Sequence, residues 1–369
     1  MTSEGHIIFN TQLRQAREVI QLNHEEVANR LGIEPDEIVD WETGRTKPSL
    51  RQLERLAELY GREIDYFLKE TRGLPAKVQF RSTTKQSFQE LSHEARVVIA
   101  KFDDWCRTAY ELENILGKAR PPKIEHAPSN KSPIDLAREQ RVGFGLEDKP
   151  VSKLRDRLTK RGIHILELPV PQGQFSGFSY WHDDYGPCIL INAKEVPGRR
   201  NFTLAHEYAH RLYGHAPSVC DITEERSEIS TGDERLADIF AVEFLMPRQP
   251  ICEDFARRGL SETPSIQDIG RMAGRWYVSV QAMGYRLEDL NRIGWGYTNE
   301  LLASYQPPHP RPPKTPKWER RLGKTFVSNA FEAYYKDYIS LGKLAHSLDI
   351  PLRKALEIAE RDMEKSKED

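Results

Sequence analysis

The sequence predicts an α+β protein: an all-α domain at the N-terminus, a mixed domain with a small β-sheet, and a helical domain at the C-terminus. Three observations carry this. Residues 10–68 read as short helices separated by tight turns. Three segments between residues 163 and 192 cluster or alternate apolar residues as strands do. Most of the chain beyond residue 192 repeats apolar residues at helical spacing. At 369 residues the chain is too long for one ordinary domain. The divisions expected are 1–70 for the first helical domain and 71–130 for a helical connector and linker. Residues 131–305 form the mixed domain, and 306–369 a Pro-rich spacer with a C-terminal helical domain.

The balance of 54 basic against 56 acidic residues excludes a polycation built to coat nucleic acid or membrane. No apolar run approaches the ~20 residues of a spanning helix, and the first ten residues lack a signal-peptide core. Cys106, Cys188, Cys220 and Cys252 are scattered without a C-x-x-C pair, which suits a reducing compartment. Cys220 and Cys252 are read as apolar filler. A cytoplasmic location and no membrane partner are therefore expected.

In the first domain Leu13, Val19 and Ile20 mark one apolar face and Val27, Ala28 and Leu31 a second. Gly32 stops that helix, and Pro35 opens the next where a missing N–H costs little. Ile38 and Trp41 point inward before Gly44. Pro48 and Ser49 start a fourth helix with Leu50, Leu53, Leu56, Ala57 and Leu59 at helical spacing. Short helix, tight turn, short helix is helix-turn-helix organisation. A polar connector, Gln79 to Ser87, leads to a long helix from about Phe88 to Leu116, followed by a linker punctuated by Pro121, Pro122, Pro128 and Pro133. Helices are expected over Ile134–Arg141 and Val151–Lys160, and strands over Ile163–Leu168, Phe175–Trp181 and Pro187–Asn192. Further helices are expected over Phe202–Leu212, Asp233–Leu245, Ile266–Trp276 and Ser279–Leu290. A polar stretch, Ser218–Gly232, is a candidate lid. Pro307–Pro316 reads as an extended spacer, and Trp318–Glu364 as helical.

Chemistry concentrates at His206-Glu207-Tyr208-Ala209-His210, an H-E-x-x-H motif in a helical stretch. Positions i and i+4 share a helix face, so two imidazoles can hold one metal ion while Glu207 takes a proton from water. The bland alternative is a helix that merely contains two histidines. Phe202, Leu204 and Ala205 make the approach apolar, and buried imidazoles without a ligand would need other partners. A catalytic zinc takes three protein ligands and keeps one open position. His215 is one candidate for the third, but the H-E-x-x-H-x-x-G-x-x-H pattern fails by one residue at both Tyr213 and Ala216. Glu234, early in the next strong helix, is the better one. Its alternative is a solvated charge in Asp233-Glu234-Arg235, with Glu224, Glu225, Glu228 and Asp233 as nearby decoys. Asp238, one turn on, is placed to accept the other ring N–H of a ligand histidine. Tyr208, Tyr213, His215 and His182 are candidate oxyanion donors.

Here the chain resembles the ImmA/IrrE metallopeptidases. Arg200-Asn201-Phe202-Thr203-Leu204-Ala205-His206-Glu207 is similar to the family's R-x-F-T-x-A-H-E. Glu234 to Ala241 and Phe244-Leu245-Met246-Pro247 resemble its E-x-x-A-N-x-F-A-x-x-L-L-M-P, with Asp238 replacing the usual Asn. Val278-Ser279 and Arg286-Leu287 match the helix pair that usually comes next. The resemblance runs from about residue 134 to 292 and implies a zincin-like fold with its third zinc ligand at Glu234. It also implies cleavage of regulatory proteins, often DNA-binding repressors.

Residues 10–68 resemble the XRE/Cro/phage-repressor helix-turn-helix, through Glu26-Val27-Ala28-Asn29-Arg30-Leu31-Gly32-Ile33 and Trp41-Glu42-Thr43-Gly44-Arg45 with Pro48. This implies a recognition helix, about Pro35 to Thr43, in a major groove of double-stranded DNA. Residues 1–68, however, hold eight Lys and Arg against thirteen Asp and Glu, with Asp36, Glu37 and Asp40 on that helix. Carboxylates oppose phosphate binding. Arg45, Lys47 and Arg51 are the candidate phosphate clamps, and DNA or protein is an equally open ligand for this domain. Arg311, Lys314, Lys317, Arg320, Arg321 and Lys324 form a basic run that reads first as solvated surface.

The expected function is a cytoplasmic regulatory zinc metallopeptidase, with metal ligands His206, His210 and Glu234 and with Glu207 as base. It would cleave or control a repressor or toxin partner. The alternative is a non-catalytic DNA-binding regulator or antitoxin that uses the zincin fold as a binding surface. A dimer is compatible with either.

Overall fold

The computed structural model describes residues 3–68, 91–119, 124–128, 130–215, 218–220, 232–303, 305 and 317–368. The polar connector, Pro121 and Pro122, most of the candidate lid with Glu224, Glu225 and Glu228, and the Pro-rich spacer with Arg311 and Lys314 lie outside these residues.

Five helices form the first domain: α1 (Ser3–Val19), α2 (His24–Leu31), α3 (Pro35–Thr43), α4 (Leu50–Tyr60) and α5 (Ile64–Leu68). Their ends obey local chemistry. Asn23 and Ser49 cap α2 and α4 through reciprocal bonds with Glu26 and Gln52. Gly44 ends α3 at φ +79°, and a Cβ there would lie 2.3 Å from Asn10 Nδ2, so glycine meets both a conformational and a steric demand. α1 starts at Ser3, before the expected Asn10. Leu50, expected on the apolar stripe of α4, is instead 67% exposed at the helix's first position, and the buried stripe begins at Leu53. The domain's interior holds an ion pair, Arg17 to Glu42, with guanidinium bonds of 2.7 and 2.8 Å.

The long helix α6 (His93–Ile115), capped by Ser92, comes next. Then come α7 (Pro133–Gly143), α8 (Leu154–Thr159), β1 (His164–Leu168), β2 (Gly177–His182), β3 (Gly186–Asn192), α9 (Pro197–Tyr213), β4 (Ser218–Cys220) and α10 (Asp233–Leu245). The unit continues with α11 (Arg248–Arg257), α12 (Ile266–Trp276), α13 (Val280–Asp289) and α14 (Tyr297–Ala303). The C-terminal helices are α15 (Lys317–Leu322), α16 (Lys324–Tyr335), α17 (Leu341–Ser347) and α18 (Leu352–Glu368). No described helix is long and apolar enough to cross a membrane.

The sheet runs in the order β1-β3-β2-β4, with β1 parallel to β3 and the other pairs antiparallel. β4 falls in the stretch that reads as polar loop, and α11 and α14 in segments where the sequence pattern predicts no element. Alternation divides the sheet's two faces. Leu166, Phe178, Tyr180, Cys188 and Leu190 join a core with α6, the first domain and the C-terminal helices. Ile165, Ile189 and Ile191 join a second core with α9, α10, α12 and α13. Because both faces are covered, β3 is buried along nearly its whole length. A polar network crosses the first core: Arg62, buried, reaches Asp103 at 3.1 Å and Asp104 at 2.7 Å on α6. The Tyr180 and Tyr185 hydroxyls donate to Asp103 at 3.0 and 2.7 Å.

Candidate metal centre

α9 carries the motif between the sheet and α10. Pro197 sits in its first turn, and Gly198 passes the α12–α13 turn so closely that a Cβ would lie 2.2 Å from the Val278 carbonyl carbon. From Thr203 to Tyr213 every residue is buried. One side of the helix, with His206 and His210, faces α10; Thr203 and Glu207 face β2.

The structure brings His206, His210 and Glu234 together. His206 Nε2 lies 3.0 Å from His210 Nε2 and 3.1 Å from Glu234 Oε2, and His210 Nε2 lies 3.4 Å from Glu234 Oε1. A tetrahedral centre with ligand bonds of about 2.0–2.1 Å has edges of about 3.3 Å, so one small cation fits this triangle. The placement of protons points the same way. Asp238 Oδ1 lies 2.9 Å from His206 Nδ1 and, as a carboxylate, can only accept. A neutral His206 therefore keeps its proton there and turns a lone pair toward the lone pairs of Glu234. A divalent cation at the middle of the cluster would satisfy these lone pairs. Burial opposes ionisation of Glu234, but the two imidazoles that face it hold its carboxyl well below the usual range, so it stands as a carboxylate. Burial pushes His210 down to about 3, keeping it the neutral imidazole a metal requires.

Glu207 is fully buried, and its carboxyl is pushed up to about 7, chiefly by burial. Ser179 Oγ on β2 donates to Glu207 Oε2 at 2.5 Å, while Oε1 has no hydrogen-bond partner among the described residues. Gly177, two residues earlier on the same face, makes room: a Cβ would lie 2.6 Å from Thr203 Cγ2 and 2.8 Å from Glu207 Oε1. Neither Gly177 nor Ser179 stands out in the sequence as a site residue. The available signal is the run of small residues at the start of β2, Ser before Gly and Ser two after it.

The remaining expected site residues lie around this triangle or apart from it. Asp233 Oδ1 sits 3.4 Å from His215 Nε2, and His215 Nδ1 sits 2.9 Å from His210 Nδ1; both are outside the ligand triangle. The candidate oxyanion donors are engaged elsewhere. Tyr208 donates to Gln140 at 2.6 Å, Tyr213 to the Lys131 carbonyl at 3.0 Å, and His182 stacks on Tyr185 with ring centres 3.7 Å apart. In the first domain Arg45, Lys47 and Arg51 are exposed just beyond α3, with Arg45 paired to Asp40 at 3.0 Å. Asp36 and Glu37 are exposed on α3 itself.

Fold and site together resemble a metallopeptidase-type domain behind a helix-turn-helix domain. Residues 158–288 match the IrrE N-terminal-like domain and residues 9–65 the helix-turn-helix domain; the chain carries both. It is 29% identical over 172 residues to the radiation response metalloprotease IrrE of Deinococcus deserti, which covers 46% of this chain and 57% of that protein. It is 32% identical over 123 residues to the protein of that name from Deinococcus radiodurans, covering 32% of this chain and 36% of the relative. The chain thus spans a third to somewhat over half of these relatives. It is also 27% identical over 93 residues to the cryptic phage CTXphi transcriptional repressor RstR of Vibrio cholerae, covering 25% of this chain and 84% of that repressor.

Proposed function

We propose that this chain is a regulatory zinc metallopeptidase whose substrate is a DNA-binding repressor or a toxin. The observation that supports it best is the convergence of His206, His210 and Glu234 beside a buried carboxylate, Glu207, with one oxygen unpartnered among the described residues. His206, His210 and Glu234 would hold the metal, and Asp238 would fix the His206 ring. Zinc, when bound there, would supply Lewis-acid chemistry, lowering the pKa of a water toward ~7 and polarising a scissile carbonyl. Glu207 takes the water proton and delivers it to the leaving amine. Ser179 fixes one oxygen of Glu207 and leaves Oε1 to receive the proton.

The test compares cells expressing the wild type and Glu207→Gln by mass spectrometry of protein N-termini. New N-termini within a repressor or toxin that require Glu207 support the proposal. The same N-termini with Glu207→Gln in its zinc-loaded form refute it.

A second reading, a non-catalytic regulator or antitoxin, is favoured by the likeness to a phage repressor. It assigns the first domain to DNA, with Arg45, Lys47 and Arg51 on phosphates. Absence of a mobility shift on the chain's own upstream DNA at low salt would remove it.

A further inference from the structure

His215 misses the third-ligand pattern by one residue, yet the fold returns it to the site. α9 ends at Tyr213, and Gly214 takes φ +67°, a conformation that L side chains rarely adopt. The chain therefore folds back over its last turn, with the His215 N–H bonded to the His210 carbonyl at 3.0 Å. Arg211 Nη2 holds the His215 carbonyl at 2.9 Å, and the His215 ring stacks on Tyr213 at 9° with centres 5.3 Å apart. The ring is thus gripped on several sides. Its Nδ1 lies 2.9 Å from His210 Nδ1 and its Nε2 lies 3.4 Å from Asp233 Oδ1.

We propose that His215, backed by Asp233, is a positioning residue that fixes the tautomer and ring plane of His210 and so sets the metal affinity of the site. The inference rests on the metal reading above. A His210 that ligates through Nε2 carries its proton on Nδ1 and donates it to His215 Nδ1. His215 then carries its own proton on Nε2, directed at the Asp233 carboxylate. Each nitrogen in the series has one defined role, and no two protons meet. The arrangement parallels the other ligand. His206 reaches a carboxylate directly through Asp238; His210 reaches one through an imidazole. Outer partners of this kind orient ligand rings and raise their basicity. Asp233 and Glu234 are the first two residues of α10, so one helix start supplies both a ligand and the end of the relay. There the helix dipole also favours their negative charge. The sequence signal is His210 followed within five residues by Gly214-His215.

The experiment is a zinc titration of the full chain against a chromophoric chelator. His215→Phe keeps the stack on Tyr213 and removes both nitrogens; it is expected to weaken zinc binding about 10–100-fold. His215→Asn places an acceptor near the Nδ1 position and is expected to recover part of the loss. The visible spectrum of the cobalt-substituted protein should change with His215→Phe and return toward wild type with His215→Asn. If His215→Phe fails to fold, Asp233→Ala, at a side chain that is 45% exposed, decides: weakened zinc binding supports the relay and unchanged binding overturns it. Wild-type zinc affinity in a folded His215→Phe overturns the proposal while leaving the metal reading intact. A wild-type chain that takes up no zinc defeats the metal reading, and the relay with it.

Discussion

Replacing Gly177 by alanine tests how closely α9 must approach β2. The added Cβ would lie 2.6 Å from Thr203 Cγ2, 2.8 Å from Glu207 Oε1 and 3.0 Å from Glu207 Cγ. Comfortable carbon contacts begin at ~3.5 Å, so α9 and β2 must separate by ~1 Å, or the Thr203 and Glu207 side chains must leave their positions. Overpacking of this kind costs about 1–3 kcal/mol. Gly177 lies outside the left-handed region, so alanine also restricts the unfolded chain, offsetting about 0.5–1 kcal/mol. The net expectation is a loss of about 1–2 kcal/mol. Activity should fall further than stability, about 10–100-fold, because the displaced group is the proposed base and a shift of about 1 Å is costly. Gly274 in α12 is the control, since no described residue lies within 4 Å of where its Cβ would stand. There alanine should stabilise by about 0.5–1 kcal/mol. Urea denaturation of both variants with zinc quantified reads the difference. A Gly177→Ala protein as stable as the wild type, with unchanged activity, refutes the packing argument.

Three more perturbations have defined outcomes. Ser179→Ala should leave zinc content unchanged yet lower kcat, because Glu207 Oε2 loses its donor; steady-state kinetics on an identified substrate shows whether KM stays fixed. His164 is buried and pushed down to about 4, chiefly by burial, so the unfolded chain binds its proton first. Its contribution is intact above about pH 6.5 and fades as pH falls toward 4, by up to about 3 kcal/mol; His164→Leu should flatten that slope in urea denaturation between about pH 7 and 4.5. Glu42→Leu strands the buried Arg17 cation and should cost about 3–5 kcal/mol, with much of it recovered by adding Arg17→Met; the thermal transitions of both variants check this.

Much of the centre is legible in the sequence because its logic is local. The i, i+4 spacing of His206 and His210 fixes a shared face on any helix, and α10 begins at the expected Asp233 because a Gly precedes an amphipathic run. Glu234 and Asp238 then fall one turn apart on the side that meets α9. The parts that escape depend on packing across distant segments. Nothing local tells that Gly177 and Ser179 lie under Glu207; that depends on sheet order and the register pairing Ser179 with Ile189. His215 reads from the sequence only as a ligand or a donor, because the return at Gly214 is a backbone event. β4 is three residues long and owes its conformation to β2, so its own sequence carries little strand pattern. Leu50 belongs to the apolar spacing of α4 but sits at its first position, where the helix has not yet reached the core.

Metal analysis of the purified, folded protein tests the three-ligand centre most directly. We expect about one zinc per chain, retained in Glu207→Gln and lost in His206→Ala, as a site of three protein ligands requires. A folded wild-type chain that contains no metal, and takes up none from added zinc, would contradict this.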